Sequence, residues 1–193
     1  MGNRVALSPG FCCFLALMIL LVPLPWIVAM VMAAAWHECC HFAMIRVFSS
    51  SKPTLRLGFL GASTPLPPMG RGKEVLCALA GPVGSLLLWL LIGIFPRLAL
   101  CGLAQGICNL MPLYPLDGGR VVRGLLSLAL PPNMARKLGD CVEWGSMATV
   151  ATLGCYGSFV LKLGLLPLCI AAMLLFHGIF GKIPCKAAHL RVQ

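Results

Sequence analysis

Residues 5–36 read VALSPGFCCFLALMILLVPLPWIVAMVMAAAW and contain no charged side chain. As one helix with a rise of about 1.5 Å per residue, they would reach about 48 Å, whereas the hydrocarbon core of a bilayer is about 30 Å thick. Pro23 and Pro25 lie inside the stretch, where a turn would divide it. The stretch therefore predicts two membrane-spanning helices joined by a short turn. It is also too long for the core of a cleavable signal peptide, so we expect it to be retained.

The rest of the chain is similarly apolar. Only 10% of the 193 residues are charged and 60% are hydrophobic, which excludes an ordinary soluble globule. Further uncharged runs cover residues 75–96, 98–116, 144–161 and 163–181. We therefore predict an all-α polytopic membrane protein forming a single domain over residues 1–193. Its expected spans lie near residues 10–23, 26–46, 74–95, 98–116, 141–161 and 163–181.

The basic residues indicate the orientation in the membrane. With six spans both termini lie on one side, and 13 of the 15 Lys and Arg residues then share that side. Only Arg97 and Lys162 lie opposite, so the positive-inside rule predicts cytoplasmic termini. The net charge of +10 is spread between apolar segments without an aromatic-interleaved patch, which argues against a nucleic-acid partner. We expect Arg120 and Arg123 to act as topology anchors.

Residues 37–41 read HECCH and match the pattern H-E-x-x-H. On a helix, His37 and His41 project from the same face one turn apart and can hold a zinc ion between them. Glu38 points about 60–100° away around the helix, where its carboxylate can take a proton from an attacking water as general base. The alternative is a set of interfacial residues at a helix end. However, ionisable groups directly after an uncharged span cost free energy when they enter a membrane, so their presence favours a functional site. Cys39 and Cys40 could also bind metal, although small side chains between the ligands explain them more simply.

A catalytic zinc needs a third protein ligand, and Asp117 is the acidic residue at the end of the fourth predicted span. It belongs to NLMPLYPLDGGR, residues 109–120, in which prolines interrupt the helix and two glycines follow the carboxylate. The second and fourth spans run in the same direction, so Asp117 is expected at a depth similar to that of the two histidines. The alternative role of Asp117 is a helix cap that faces water.

Two other segments have predicted structural roles. Residues 49–73 contain a roughly alternating, glycine-punctuated run that predicts a short β-hairpin or re-entrant segment between the second and third spans. The free edge of such a strand could bind an unwound substrate peptide, and a plain loop is the alternative. Gly81, Gly84 and Ser85 form a face of small residues that predicts close packing of the third span.

The combination of HECCH with NLMPLYPLDGG about 75 residues later resembles the site-2 protease family of intramembrane zinc metalloproteases, in particular the bacterial group of stage IV sporulation protein FB. Residues 80–85, AGPVGS, resemble the glycine-proline motif of that family, which commonly carries Asn where this chain has Ser85. The resemblance covers roughly residues 10–130, followed by C-terminal helices over 141–181. It implies one zinc ion per chain held by His37, His41 and Asp117, with Glu38 as general base.

The resemblance also implies that Asn109 positions the substrate, for which a helix–helix hydrogen bond is the alternative. The expected activity is cleavage of a peptide bond in or next to the transmembrane segment of a membrane-tethered protein in the bacterial cell membrane. A sporulation pro-sigma factor is the substrate that the resemblance suggests, with membrane proteins as regulators. We do not expect a C-terminal regulatory domain of the kind that the sporulation group carries. A metal-binding or transport protein that uses the same three ligands is the main alternative, and a catalytically silent substrate-binding relative is another.

Overall fold

The structure is a computed structural model that describes residues 5–7, 22–49, 55–58, 61–63, 69–114, 116–162, 164, 167–169, 171, 172 and 175. Its strands are β1 (Val5–Leu7), β2 (Leu55–Gly58) and β3 (Gly61–Ser63). Its helices are α1 (Leu24–Phe48), α2 (Arg71–Leu87), α3 (Pro96–Leu110), α4 (Asp117–Ala129) and α5 (Pro132–Cys155). A 3₁₀ segment, Leu88–Leu91, continues α2, and a π-helical turn, Tyr156–Val160, continues α5. The described part of the chain is therefore mostly helical.

The chain divides into two compact units, Met1–Leu110 and Met111–Gln193. Two described helices, both in the first unit, are long and apolar enough to cross a membrane: α1 and the segment Arg71–Leu91. They coincide with the predicted spans near residues 26–46 and 74–95. Most of the first and sixth predicted spans lies outside the described residues. The count of six spans remains a prediction.

Helix α1 buries a narrow stripe in which every fourth residue points inward: Ala29, Ala33, His37, His41 and Ile45. This spacing follows from the 3.6-residue period of an α-helix. Large apolar side chains such as Val28 and Met32 are exposed on its other faces. A helix that is apolar on its outer faces and buries polar groups inside is suited to a lipid environment.

The first unit also contains a three-stranded sheet in the order β1-β2-β3. Strands β2 and β3 are antiparallel, with Gly58 opposite Gly61, and they lie in the segment for which the sequence predicts a hairpin. Strand β1 pairs with β2 in parallel, with Val5 opposite Leu55. The sequence did not predict β1, because a parallel pairing between residues about 50 positions apart leaves no local pattern.

The second unit begins with a break in the helical structure. The sequence predicted a fourth span over residues 98–116 with Asp117 at its end, but α3 ends at Leu110 and Asp117 is the first residue of α4. Pro112 explains the break, because proline lacks a main-chain donor and restricts the residue before it. The connection turns through hydrogen bonds from the Leu113 N–H to the Met111 carbonyl (2.7 Å) and from the Leu116 N–H to the Leu113 carbonyl (2.8 Å).

Helices α4 and α5 of the second unit are joined by an ion-pair cluster. The guanidinium of Arg123 on α4 donates to Asp140 (2.8 Å) and to Glu143 on α5. Glu143 is almost completely buried, with 2% of its surface exposed. Arg123 was expected only as a topology anchor, whereas in the structure it holds two helices of one unit together.

Candidate metal centre

His37 and His41 project from the buried stripe of α1 and face each other. Each is 3% exposed, and their Nε2 atoms lie 3.2 Å apart. The ring planes are nearly perpendicular, at 81°. Two nitrogen ligands on one tetrahedral zinc, each at about 2.0–2.1 Å from the ion, would be about 3.3–3.4 Å apart. The two imidazoles therefore already have the separation of two ligands on one zinc ion.

The tautomer of His41 follows from its hydrogen bond. Its Nδ1 lies 2.7 Å from the main-chain carbonyl oxygen of Cys77 on α2. A carbonyl oxygen can only accept, so Nδ1 carries the hydrogen and Nε2 of the neutral ring presents its lone pair. This is the form of histidine that binds a metal through Nε2.

His37 is held in a similar position by a side chain. Its Nδ1 lies 2.8 Å from the hydroxyl oxygen of Ser85, which is fully buried on α2. A hydroxyl can accept a hydrogen bond from an imidazole N–H or donate to an unprotonated ring nitrogen. When Ser85 accepts, the His37 Nε2 lone pair points towards His41.

Gly81 lies between these two hydrogen-bond partners on the same face of α2. Cys77, Gly81 and Ser85 are four residues apart, as are His37 and His41 on α1, so the two helix faces match turn by turn. A β-carbon on residue 81 would lie 2.7 Å from the His37 Nε2 and still closer to the His41 Nε2. It would crowd both of the nitrogens that face a metal ion. The missing side chain of Gly81 leaves this volume open, so the first unit fits a metal.

Two further contacts hold α1 against α2 around the histidines. The indole N–H of Trp36 donates to the Gly84 carbonyl at 2.9 Å. Cys40 packs against the bare α-carbon of Gly84, where a β-carbon would come within 3.0 Å of the Cys40 Cβ. Cys40 therefore fills space between the helices, while Cys39 is exposed. Neither contributes to a metal-binding group among the described residues.

Glu38 is buried next to the first histidine, with 9% of its surface exposed. Its position on α1 is one residue, or about 100°, around the helix from His37. Asn109 is half-buried and is the second-last residue of α3, which belongs to the same unit. The structure places Asn109 at a helix end, but its role in substrate binding remains a prediction.

Asp117 is buried at the start of α4, in the second unit, with 6% of its surface exposed. A carboxylate in the first turn of a helix is stabilised by the positive end of the helix dipole. The Arg120 guanidinium lies 3.6 Å from one of its oxygens. Gly119 places its α-carbon against the Leu113–Tyr114 main chain, where a β-carbon would come within 2.6 Å of the Leu113 carbonyl oxygen. The glycines after Asp117 thus let the first turn of α4 pack on the preceding connection.

The three predicted ligands are His37 and His41 in the first unit and Asp117 in the second. All three residues are buried. Two imidazole nitrogens and a carboxylate oxygen are a donor set that suits zinc. Sequence reasoning selected these three residues but assigned Gly81 and Ser85 only to helix packing. The four-residue spacing of Cys77, Gly81 and Ser85 places them on one face of α2, but it does not indicate that this face meets the histidines.

Comparison with known proteins gives a family match over part of the chain and a similar fold. The family model "Peptidase family M50" matches residues 62–153, a range that includes Gly81, Ser85 and Asp117 and begins after the two histidines. None of the curated proteins matches the sequence. Among solved structures, the site-2 protease from Methanocaldococcus jannaschii has a similar fold, with a TM-score of 0.64 and 19% sequence identity. The similarity covers 89% of this chain and 87% of that one.

Proposed function

We propose that the chain is a zinc metalloendopeptidase that cleaves membrane-tethered proteins, because a Peptidase family M50 model matches residues 62–153 and the fold is similar to that of a site-2 protease. The expected cleavage lies in or next to the transmembrane segment of the substrate. One zinc ion per chain is held by His37, His41 and Asp117. The observation that carries this proposal is the pair of buried Nε2 atoms 3.2 Å apart over Gly81.

The protein residues around this site have separate roles in the proposed reaction. When bound, zinc lowers the pKa of a water to about 7 and polarises a carbonyl. Glu38 accepts the proton of the attacking water and delivers it to the leaving amine, as general base and then general acid. Its burial supports this role, because a carboxylate with little access to bulk water passes the transferred proton to the leaving amine and not to the solvent. Asn109 donates from its side-chain amide to the oxygen of the scissile carbonyl.

Membrane-tethered substrates fit the exterior of the first unit. Large apolar side chains are exposed along its helices and in the turn before α3, including Val47 (73%), Leu90 (78%) and Ile94 (72%). Such a surface is suited to acyl chains and to the apolar helix of a substrate. A helical peptide bond must first be unwound, and the outer strands of the β1-β2-β3 sheet offer main-chain partners for an extended segment.

The chain is proposed to lie in the bacterial cell membrane with both termini in the cytoplasm, where cleavage would release a cytoplasmic fragment. A sporulation pro-sigma factor is the first substrate to test, as the sequence resemblance suggests. Membrane proteins that bind the protease would regulate access to the site.

The substitution Glu38→Gln tests the mechanism. The protein and a tethered substrate are co-expressed, and the shortened product is followed by electrophoresis while zinc is measured in the purified protein. We expect Glu38→Gln to abolish the product and to keep one zinc ion per chain. Glu74→Gln is the matched control, because Glu74 is an acidic residue of the same unit in the first turn of α2. It should leave cleavage unchanged.

The same variant separates the protease from a metal carrier that would use the same His, His and Asp group. In proteoliposomes, a carrier would move zinc across the bilayer whether or not residue 38 can act as a base. Zinc flux that persists in Glu38→Gln, together with no cleavage of any tethered substrate by the wild type, would contradict the proposed function.

A further inference from the structure

The two metal-facing histidines are held in different ways at Nδ1. His41 contacts a main-chain oxygen, that of Cys77, which no substitution removes. His37 contacts the side-chain hydroxyl of Ser85. The Nδ1 contact of His37 therefore depends on which side chain stands at position 85 of α2. The Nδ1 contact of His41 does not depend on a side chain of α2.

The contact between Ser85 and His37 is sealed from solvent. Ser85 has 0% and His37 3% of its surface exposed, and their polar atoms are 2.8 Å apart. A water molecule cannot enter this position to replace a missing hydroxyl without opening the packing of α1 on α2. The hydrogen bond also restrains the rotation of the His37 ring about its Cβ–Cγ bond.

We infer that Ser85 is a positioning residue for His37: its hydroxyl accepts the Nδ1 hydrogen and thereby turns the Nε2 lone pair towards the metal. This inference rests on the proposed function, because it assigns a role towards the metal that His37 is proposed to bind. It adds Ser85, whose place in the sequence suggested only close packing of a helix. Partners of this kind set the tautomer of a histidine ligand and raise its basicity, and their loss typically weakens metal binding about 10–100-fold.

The alternative role of Ser85 is that of a small residue that lets two helices approach. The two roles differ in what alanine does at this position. Alanine keeps the small volume, so a packing role predicts no effect, whereas a positioning role predicts weaker metal binding because only the hydroxyl is removed.

The experiment uses the full-length protein purified in detergent, with zinc affinity measured by competition with a chromophoric chelator. We expect Ser85→Ala to bind zinc about 10–100-fold more weakly than the wild type. Ser146→Ala is the matched control, because the Ser146 hydroxyl donates to the Val142 carbonyl at an exposed position of α5. It should bind zinc as the wild type does. Equal affinities of the wild type and Ser85→Ala would overturn the inference.

A second measurement follows the imidazole hydrogens directly. In the zinc-loaded protein labelled with ¹⁵N-histidine, both His37 and His41 should show a protonated Nδ1 that exchanges slowly with water. In Ser85→Ala the His37 signal should be lost or exchange rapidly, while the His41 signal, held by the Cys77 carbonyl, should persist. If both signals disappear together, or if both persist, Ser85 does not act specifically on His37.

The outcomes for the two proposals are distinct. A wild-type protein that takes up no zinc contradicts the proposed function itself. A wild type that takes up one zinc ion per chain, with the same affinity and the same His37 signal in Ser85→Ala, leaves the proposed function standing and removes only the role of Ser85.

Discussion

Gly81 and His41 approach so closely that a β-carbon on residue 81 would lie 2.6 Å from Cε1 of the imidazole. Real β-carbons essentially never come within 3.0 Å of a heavy atom from a residue that is not their chain neighbour, so either the ring or helix α2 must move to admit one. The ring and α2 are tied to each other, because the His41 Nδ1 donates to the carbonyl of Cys77, which belongs to α2. The volume beside the histidines thus exists only because residue 81 has no side chain.

Replacing Gly81 with alanine is therefore expected to eliminate zinc binding. The added methyl group would come within 2.7 Å of both Nε2 atoms, so we expect zinc affinity to fall by about 100-fold or more, enough to leave the purified protein short of zinc. Metal content per chain, measured by atomic emission, is the test. Gly72→Ala is the matched control on the same helix, because no atom lies within 4 Å of a β-carbon at that position. Full zinc occupancy in Gly81→Ala would show that the metal lies elsewhere.

Substitution of Asp117 tests the third ligand. Asp117→Asn keeps the size of the side chain but removes the negative charge that an oxygen ligand offers zinc. We expect zinc affinity to fall by about a hundredfold or more, and cleavage to be lost with it, as expected for loss of a direct ligand. Asp140→Asn is the control, because Asp140 is a half-exposed carboxylate of the same unit. An Asp117→Asn protein with wild-type zinc affinity would contradict the ligand assignment.

Glu143 provides a prediction about stability rather than catalysis. Its carboxylate is buried and paired with Arg123, whereas Asp140, which pairs with the same guanidinium, is half-exposed. Partial burial lowers the pKa of Arg123, but hydrogen bonds to Glu143 and Asp140 outweigh this effect and raise it overall. Removing the buried partner of an ion pair typically destabilises a protein by about 3–5 kcal/mol, and an exposed pair contributes about 0–1 kcal/mol.

Glu143→Ala should therefore reduce the free energy of unfolding by several times more than Asp140→Ala does. Unfolding of the purified protein in mixed detergent micelles, followed by circular dichroism, measures the difference. The midpoint of Glu143→Ala should shift clearly, and that of Asp140→Ala should remain near the wild type. Equal shifts would mean that the buried carboxylate contributes no more than its exposed neighbour.

The local part of the candidate site could be predicted from the sequence. The spacing of His37 and His41 alone places both imidazoles on one helix face, because the period of an α-helix does not depend on the rest of the fold. Asp117 could be selected because acidic residues are rare in this chain. An ionisable side chain near an apolar run is costly in free energy and therefore indicates a functional role. The helices that match the second and third predicted spans follow directly from length and hydropathy.

The parts that were missed depend on contacts between elements. That Ser85 meets His37, and Cys77 meets His41, depends on the register of α2 against α1, which no single segment encodes. The pairing of β1 with β2 is likewise non-local. The end of α3 was predicted only in part: the prolines after Asn109 indicated a break, but the span was extended to residue 116 because an uncharged run records apolarity, not helical continuity.

The final prediction concerns Gly119, two residues after the proposed carboxylate ligand. A β-carbon there would lie within 2.6 Å of the Leu113 carbonyl oxygen and the Tyr114 nitrogen, which are main-chain atoms that cannot rotate away. Gly119→Ala should therefore displace the first turn of α4, and with it Asp117, so that zinc affinity falls by about 10-fold or more. Gly145→Ala is the control in the same unit, since nothing lies within 4 Å of a β-carbon there. Chelator competition on both variants measures the effect. Unchanged affinity in Gly119→Ala would mean that the position of Asp117 does not depend on the packing of α4 against the Leu113–Tyr114 main chain.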